Sequence, residues 1–261
     1  MLRTLNIAAS GMAAQETNLE AVSNNIANAN TVGYKRQRME FQDLLYQQVR
    51  TPGTATSAST QSPGGLQVGS GVRIVGSTRM FEQGTLQTTG NQLDVAIEGR
   101  GFLAVQQPDG TLAYTRSGNL QTDGEGRIVT PEGAPLDPAL TIPPDATGIS
   151  ISSDGKVMAS IPGEQAPVEI GQITLATFVN PSGLQALGHN LFTATAASGE
   201  AQVGAPGSDG RGTLMQGAIE GANVNVVEEM IGLITSQRSY EINSKVITAA
   251  DEMLRAATQL K

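Results

Sequence analysis

The residues that could carry catalytic chemistry are few and poorly spaced for it. His189 is the only histidine, set in Leu187-Gly188-His189-Asn190-Leu191, and no Ser–His or Cys–His pairing is evident. The chain has no Cys, which excludes a thiolate nucleophile, a thiolate metal site and a disulfide. Gly99-Arg100-Gly101-Phe102-Leu103-Ala104 matches the dinucleotide fingerprint in its letters. A strand pattern follows it, however, where a helix N-terminus has to receive the pyrophosphate. Asp123-Gly124-Glu125 opens like a calcium loop, but the closing position falls on Ala134, which brings no carboxylate. No Gly-Lys-Ser/Thr is present for a phosphate loop. The expectation is a chain that is not an enzyme, with no catalytic residue, no cofactor and no metal.

The spacing that does carry meaning is apolar, and its chemistry is association. Val226, Leu233, Tyr240, Ile247 and Leu254 stand seven residues apart, with Met230, Ile234, Ala250 and Ala257 beside them. Leu5, Met12, Leu19 and Ile26 repeat the same step near the other end of the chain. Seven residues are two helical turns, so each set forms one narrow stripe suited to another helix. No Gly or Pro interrupts the segment after Gly232, and a helix of about 34 residues would be roughly 50 Å long. The spacing leaves open whether the helices pair within one chain or between chains. It also leaves open two separate amphipathic helices on one globular core. Gln15, Gln237 and Ser244 interrupt the stripes and suit a seam that also meets neighbours.

Composition sets further bounds. The chain has 261 residues, 31 Gly and only nine aromatic residues, so a large aromatic core is not expected. The net charge is −8, and it is concentrated, since residues 80–200 alone carry a net −9. Near-neutral ends can gather in many copies while an acidic middle stays solvated. Nucleic-acid binding is disfavoured, because phosphate contacts need clustered Lys and Arg. The basic cluster Lys35, Arg36 and Arg38 reads as a solvated face or a helix C-terminal cap. Asn6, Ser10, Gln15 and Glu16 break any signal-peptide run, and no apolar stretch is long enough to span a membrane.

Between the helices the pattern changes. Asn24, Asn25, Asn28, Asn30 and Gly33 end the first helix. Residues 34–50 suit either a short helix or an extended arm. Thr51 to Ser70 carries no charge and is mostly Thr, Ser, Gly and Pro; it reads as a disordered linker or as an arm that orders against neighbouring subunits. From Val72 onward period-two stretches alternate with Asp-Gly turns at 109–110, 123–124, 154–155 and 209–210. Gly212 to Glu220 reads as one returning strand. The expected fold class is α+β: long N- and C-terminal α-helices in a coiled-coil-like pair, an inserted mainly antiparallel β domain of sandwich or barrel-like type, and extended β arms. Residues 1–33 with 222–261 form the terminal helical domain. Residues 34–90 with 190–221 form a connecting region with an arm at 46–70, and 91–189 a β-rich outer domain.

Three stretches carry a family resemblance. Asn24-Asn25-Ile26-Ala27-Asn28-Ala29-Asn30-Thr31-Val32-Gly33-Tyr34-Lys35-Arg36 resembles the N-terminal signature of bacterial flagellar rod and hook proteins. Leu93 to Phe102 with Tyr114-Thr115-Arg116 is similar to the middle of the longer members, and Gln237 to Lys245 to their C-terminal helix. The resemblance implies a structural subunit of the distal rod, exported without a cleaved signal peptide, folding on assembly and crossing the periplasm as a drive shaft. Its implied partners are further copies in a helical polymer, the proximal rod proteins, the hook protein, the surrounding ring (bushing) proteins and the export apparatus. Neither nucleic acid nor membrane insertion is implied. The segment Tyr46 to Pro63 falls where distal rod members carry an insertion, which marks Thr51, Pro52, Gly53 and Pro63 as a rigidity arm. The alternatives are a proximal rod or short hook-type axial protein, or an extracellular β-domain binding module with helical ends.

Overall fold

The computed structural model describes residues 2–53, 55–57, 60–61, 64–164 and 166–259. The chain is α+β and separates into two compact units, residues 1–26, 37–78 and 225–261 in the first and residues 27–36 and 79–224 in the second.

The first unit holds both long helices. Helix α1 spans Leu2–Ala27 and is free of Pro. Helix α2 spans Val226–Gln259, 34 residues, the length expected. Asn225 starts it: its side-chain oxygen accepts from the Val227 backbone N–H at 3.1 Å, satisfying one of the orphan donors of the first turn. Glu228 and Glu229 then sit where the helix dipole favours negative charge. Residues 37–43 are a strand, not a helix: Gln37–Asp43 pairs with Val72–Arg79. The apolar positions Met39 and Phe41 alternate with charged and amide side chains, which is strand rather than helix spacing. Glu40 accepts from Thr78 at 2.7 Å and Gln42 from Arg73 at 2.8 Å across that pair. Further out, Gln47–Arg50 pairs antiparallel with Leu66–Val68, and Ala55–Ser57 with Thr60–Gln61. Within residues 51–70, Ala55–Ser57, Thr60–Gln61 and Leu66–Val68 are therefore paired extended chain.

The second unit is built on a six-stranded sheet in the order Gln185–Gly188, Leu191–Thr193, Leu112–Thr115, Phe102–Gln106, Leu175–Thr177, Gln202–Gly204. Its neighbouring strands run antiparallel. Successive side chains of a strand point to opposite faces, and here both faces are covered. Leu103 and Val105 join a wholly aliphatic core with Val95, Ile97, Leu120, Ile128, Val157 and Leu175. Phe102 and Ala104 point the other way, into a smaller cluster with Tyr114, Phe178 and Phe192. Rings there meet edge to face, Tyr114 and Phe178 at 4.9 Å and Phe81 and Phe102 at 5.3 Å. Five of the nine aromatic residues are thus gathered on one face of one sheet, which bulk composition does not reveal.

Two expectations are corrected. No sheet closes into a barrel among the described residues. The terminal strand Gln185–Gly188 is exposed throughout and carries a register shift, and such a bulged edge is a poor template for further pairing. Residues 212–220 also form two strands instead of one: Thr213–Gln216 pairs with Val95–Glu98, and Ala218–Glu220 with Leu86–Thr88. Gly217, at φ +73°, turns the chain between them. Of the four Asp-Gly pairs, three put their Gly at positive φ, while at 123–124 the positive φ falls on Gly126.

Candidate functional site

Helices α1 and α2 touch along a row of polar and small side chains. Asn25 Nδ2 donates to Glu229 Oε2 at 3.1 Å, and Asn18 Nδ2 donates to Ser236 Oγ at 2.8 Å. Asn243 packs over Gly11, where an added Cβ would lie 2.9 Å from its side-chain nitrogen. Each step of seven up one helix meets a step of seven down the other, so the helices run antiparallel here. Asn25, Glu229 and Ser236 are buried, as are Ala8, Ala14, Ala21, Val22 and Ala250.

The apolar stripes expected from sequence flank this row. Leu5, Met12, Leu19 and Ile26 are half-buried, as are Leu233, Ile247 and Leu254. Val226, Met230 and Tyr240 are exposed. Gln15 is half-buried, while Gln237 and Ser244 are exposed. A second apolar face of α2 lies on the far side, about 100° per residue round the helix. Val227 at 65 % and Ile231 at 60 % exposure belong to it with Ile234; Ile242, at 61 %, lies to one side, and Val246 and Met253, each three residues on from Asn243 and Ala250, border the seam. The polar row was missed from sequence because apolar residues were sought at heptad spacing. Its signal was present, since Asn18 and Asn25, and Glu229, Ser236 and Asn243, are also seven apart.

The N-terminal signature divides between the units. In the first, Asn24 is exposed on α1, and Asn25 Oδ1 accepts from the Gln37 N–H at 3.0 Å. In the second, Asn28 receives the Thr31 hydroxyl at 3.1 Å. Gly33, at φ +71°, lies against Ser117, with no room for a Cβ, and its N–H donates to Glu220 O at 2.8 Å. Lys35 is fully buried, which corrects the reading of its cluster as a solvated face. Its ammonium donates to Glu220 Oε1 at 2.7 Å and to Glu82 O at 2.6 Å. The helix has already ended, so the segment after it can turn Lys35 inward. Arg116 donates to Glu220 Oε2 at 2.7 Å and to the carbonyls of Gly99 and Gly101 at 3.0 Å. Glu220, itself buried, thus answers two buried cations. Burial pushes the Lys35 ammonium below its ordinary value of 10.5, and the Arg116 charge pushes the same way against the opposing pull of Glu220. Arg36 is held by backbone, its N–H donating to Asn223 Oδ1 at 2.7 Å. Arg38 is exposed beside Glu40 at 3.7 Å.

The arm begins at an exposed joint. Leu45 is 91 % exposed, and Tyr46, Val49 and Leu66 are also exposed apolar side chains. Thr51, Pro52 and Gly53 are exposed in the turn that follows; Pro63 lies outside the described residues. A two-stranded ribbon on its own is marginally stable in water, so a ribbon that exposes Val49 and Leu66 favours a neighbour.

The chemical candidates are occupied structurally. His189 pairs with Glu132 on the surface. Phe102–Gln106 is a strand directly after Gly101. Asp123 accepts from the Glu125 and Arg127 backbones at 2.9 and 2.8 Å, and the Arg127 guanidinium bond holds its carboxyl below the ordinary range. Among the described residues no group of His, Asp and Glu is arranged to hold a metal, and no helix is long and apolar enough to cross a membrane.

Comparison with known proteins adds three family matches. Residues 5–35 match the flagella basal body rod protein family. Residues 96–159 match the flagellar hook protein FlgE/F/G D1 domain, and residues 215–260 the flagellar basal body rod FlgEFG protein C-terminal family. The chain is 51 % identical to the flagellar basal-body rod protein FlgG of Caulobacter vibrioides over all of both chains. It is 46 % identical to the protein of that name from Borreliella burgdorferi, covering all of this chain and 99 % of the other. With the Bacillus subtilis protein of that name it shares 38 % identity over all of both.

Proposed function

The chain belongs to the flagellar basal-body rod protein family, and from that premise we propose that it is a structural subunit of the distal rod. Many copies assemble into a straight, rigid helical tube that carries motor torque from the basal body to the hook and lines the export channel. The terminal helices, residues 1–33 with 222–261, pair in coiled-coil fashion as the inner layer. Residues 91–189 form the outer layer. Residues 34–90 with 190–221 connect the two, and the arm at 46–70 stiffens the tube against its neighbours. The rod spans the periplasm. It meets the proximal rod proteins at one end and the hook protein at the other, turns within ring proteins, and is fed by the export apparatus. The work of the chain is mechanical, not catalytic.

The observation that carries this reading is the second apolar face of α2. One face of the helix meets α1, while Val227, Ile231, Ile234, Ile242, Val246 and Met253 are left to water. Apolar side chains left exposed outside the seam are suited to burial against a second neighbour, and one chain does not supply it. The test is electron microscopy of purified protein at high concentration. Straight tubes are expected from the natural chain, and none from Ile231→Asp with Ile242→Asp, whose fold should persist. Tubes of unchanged yield from that variant would remove the α2 face from the assembly.

A further inference from the structure

The α1–α2 seam poses a problem that its apolar stripes do not solve. A stripe repeating every seven residues still sets apolar side chains against apolar side chains after a slip of seven, so it resists the slip only through differences of shape, as at Tyr240. The stripes Leu5, Met12, Leu19, Ile26 and Leu233, Ile247, Leu254 are of that kind. The polar row between them is not. Its three steps differ in chemistry: amide against carboxylate at Asn25 and Glu229, amide against hydroxyl at Asn18 and Ser236, bare backbone against amide at Gly11 and Asn243.

We infer that this row is a register code, in which Asn18, Asn25, Glu229 and Ser236 fix which turn of α1 meets which turn of α2 within one chain. Sliding α2 by one heptad in one direction sets Ser236 against Asn25 and Asn243 against Asn18. The buried Glu229 carboxylate then loses its amide donor. Sliding it the other way brings Glu229 opposite Asn18 and Ser236 opposite Gly11. Asn25 then loses its carboxylate partner, and the Glu229 side chain moves off the segment where Asn25 is also fastened to Gln37 through both its backbone N–H and C=O. One slip takes the Glu229 carboxylate away from its amide donor and the other takes the Ser236 hydroxyl from its own, and a buried polar group that loses its donor costs far more than an apolar mismatch. The in-register arrangement also keeps Glu229 in the first turn of α2, where the helix dipole favours its charge. Gly11 supports the code sterically, since it lets the Asn243 amide lie flat on the α1 backbone. The code costs stability relative to an all-apolar seam and returns a single register. A tube built from many copies needs that single register, because one slipped subunit would displace the outer face of α2 by about 10 Å, seven residues at 1.5 Å each.

A chain without Cys allows a direct test by disulfide trapping in the full-length protein. Val22 and Gly232 face each other in register, a Cβ at Gly232 lying 4.0 Å from a Val22 methyl. Val22→Cys with Gly232→Cys reports the native register, and Val22→Cys with Ser239→Cys reports a slip of one heptad. With the natural polar row, the first pair should form an intrachain disulfide in roughly tenfold excess over the second, the ratio that one unpaired buried polar group imposes. In Asn18→Ala, Glu229→Leu, Ser236→Ala the two yields should come within about threefold of each other. Glu229→Gln alone keeps an acceptor for Asn25 and should retain the excess, whereas Glu229→Leu alone should lose most of it. Equal yields with the natural row, or an undiminished excess in the triple variant, would overturn the inference. So would a product that is only interchain. If the triple variant traps neither pair, the decision passes to Glu229→Gln against Glu229→Leu, and equal ratios there overturn it too.

Discussion

Glu220 accepts from Lys35 and Arg116 at 2.7 Å each, with all three side chains buried. Removing the shared anion leaves two buried cations uncompensated, so Glu220→Ala should cost about 3–5 kcal/mol. Lys35→Met leaves the Arg116 pair intact and should cost only about 1–2 kcal/mol. Chemical denaturation of the two variants checks the order, and equal costs would show that Arg116 does not depend on the Glu220 carboxylate. The same site gives a pH dependence. The folded Lys35 value lies below 10.5, so in the window between them the unfolded chain holds the extra proton. Stability should therefore rise with pH there, and this gain is lost as pH falls through the folded value. Lys35→Met should lack that slope. None of this was legible in the sequence. Lys35, Arg36 and Arg38 look like one cationic surface, and only their partners separate them: Lys35 is held on the buried Glu220, while Arg38 is exposed in the strand Gln37–Asp43.

At the scale of elements, the sequence was most informative where periodicity was long. Both helices and their lengths could be read from uninterrupted heptads, and four of the turns from Asp-Gly pairs. Residues 37–43 were not decided, because seven residues with two apolar positions satisfy either period until a partner strand is known. The elements also make separable predictions. Leu233→Asp puts a charge into the half-buried side of α2 and should cost several kcal/mol of helix pairing, read as loss of helical circular dichroism. Ile242→Asp lies outside the seam and should leave that signal unchanged while blocking assembly. If both behave alike, the two faces of α2 are not distinct. For the arm, deletion of residues 52–63 should leave the denaturation midpoint of the chain within error and give polymers that bend. Micrographs of variant polymers as straight as the natural ones would reduce the arm to a connector.

At the scale of the whole molecule, the second unit takes in residues 27–36 as well as 79–224. Gly33 and Lys35 are bound to Glu220, and Arg36 to Asn223. Cleavage in the exposed joint near Leu45 should therefore give two fragments that migrate together on a native gel and separate only in denaturant. Fragments that part without denaturant would mean that the Lys35 contacts do not hold the short piece.

The pairing of Lys35 with Glu220 also sets a clock. A chain threaded out through a narrow bore, from whichever end, presents one partner long before the other, with 185 positions between them. Closing a loop of that length carries roughly 4–5 kcal/mol of entropy beyond the constant part, so the contact waits until the intervening sheet has shortened the path. Until then the early partner stays hydrated and the unit remains open. On the proposed export route, a subunit interrupted in transit, or one truncated before residue 220, does not bury Lys35 against Glu220. Passage of everything between residues 35 and 220 is thereby registered in the fold itself, by an ion pair that cannot close earlier.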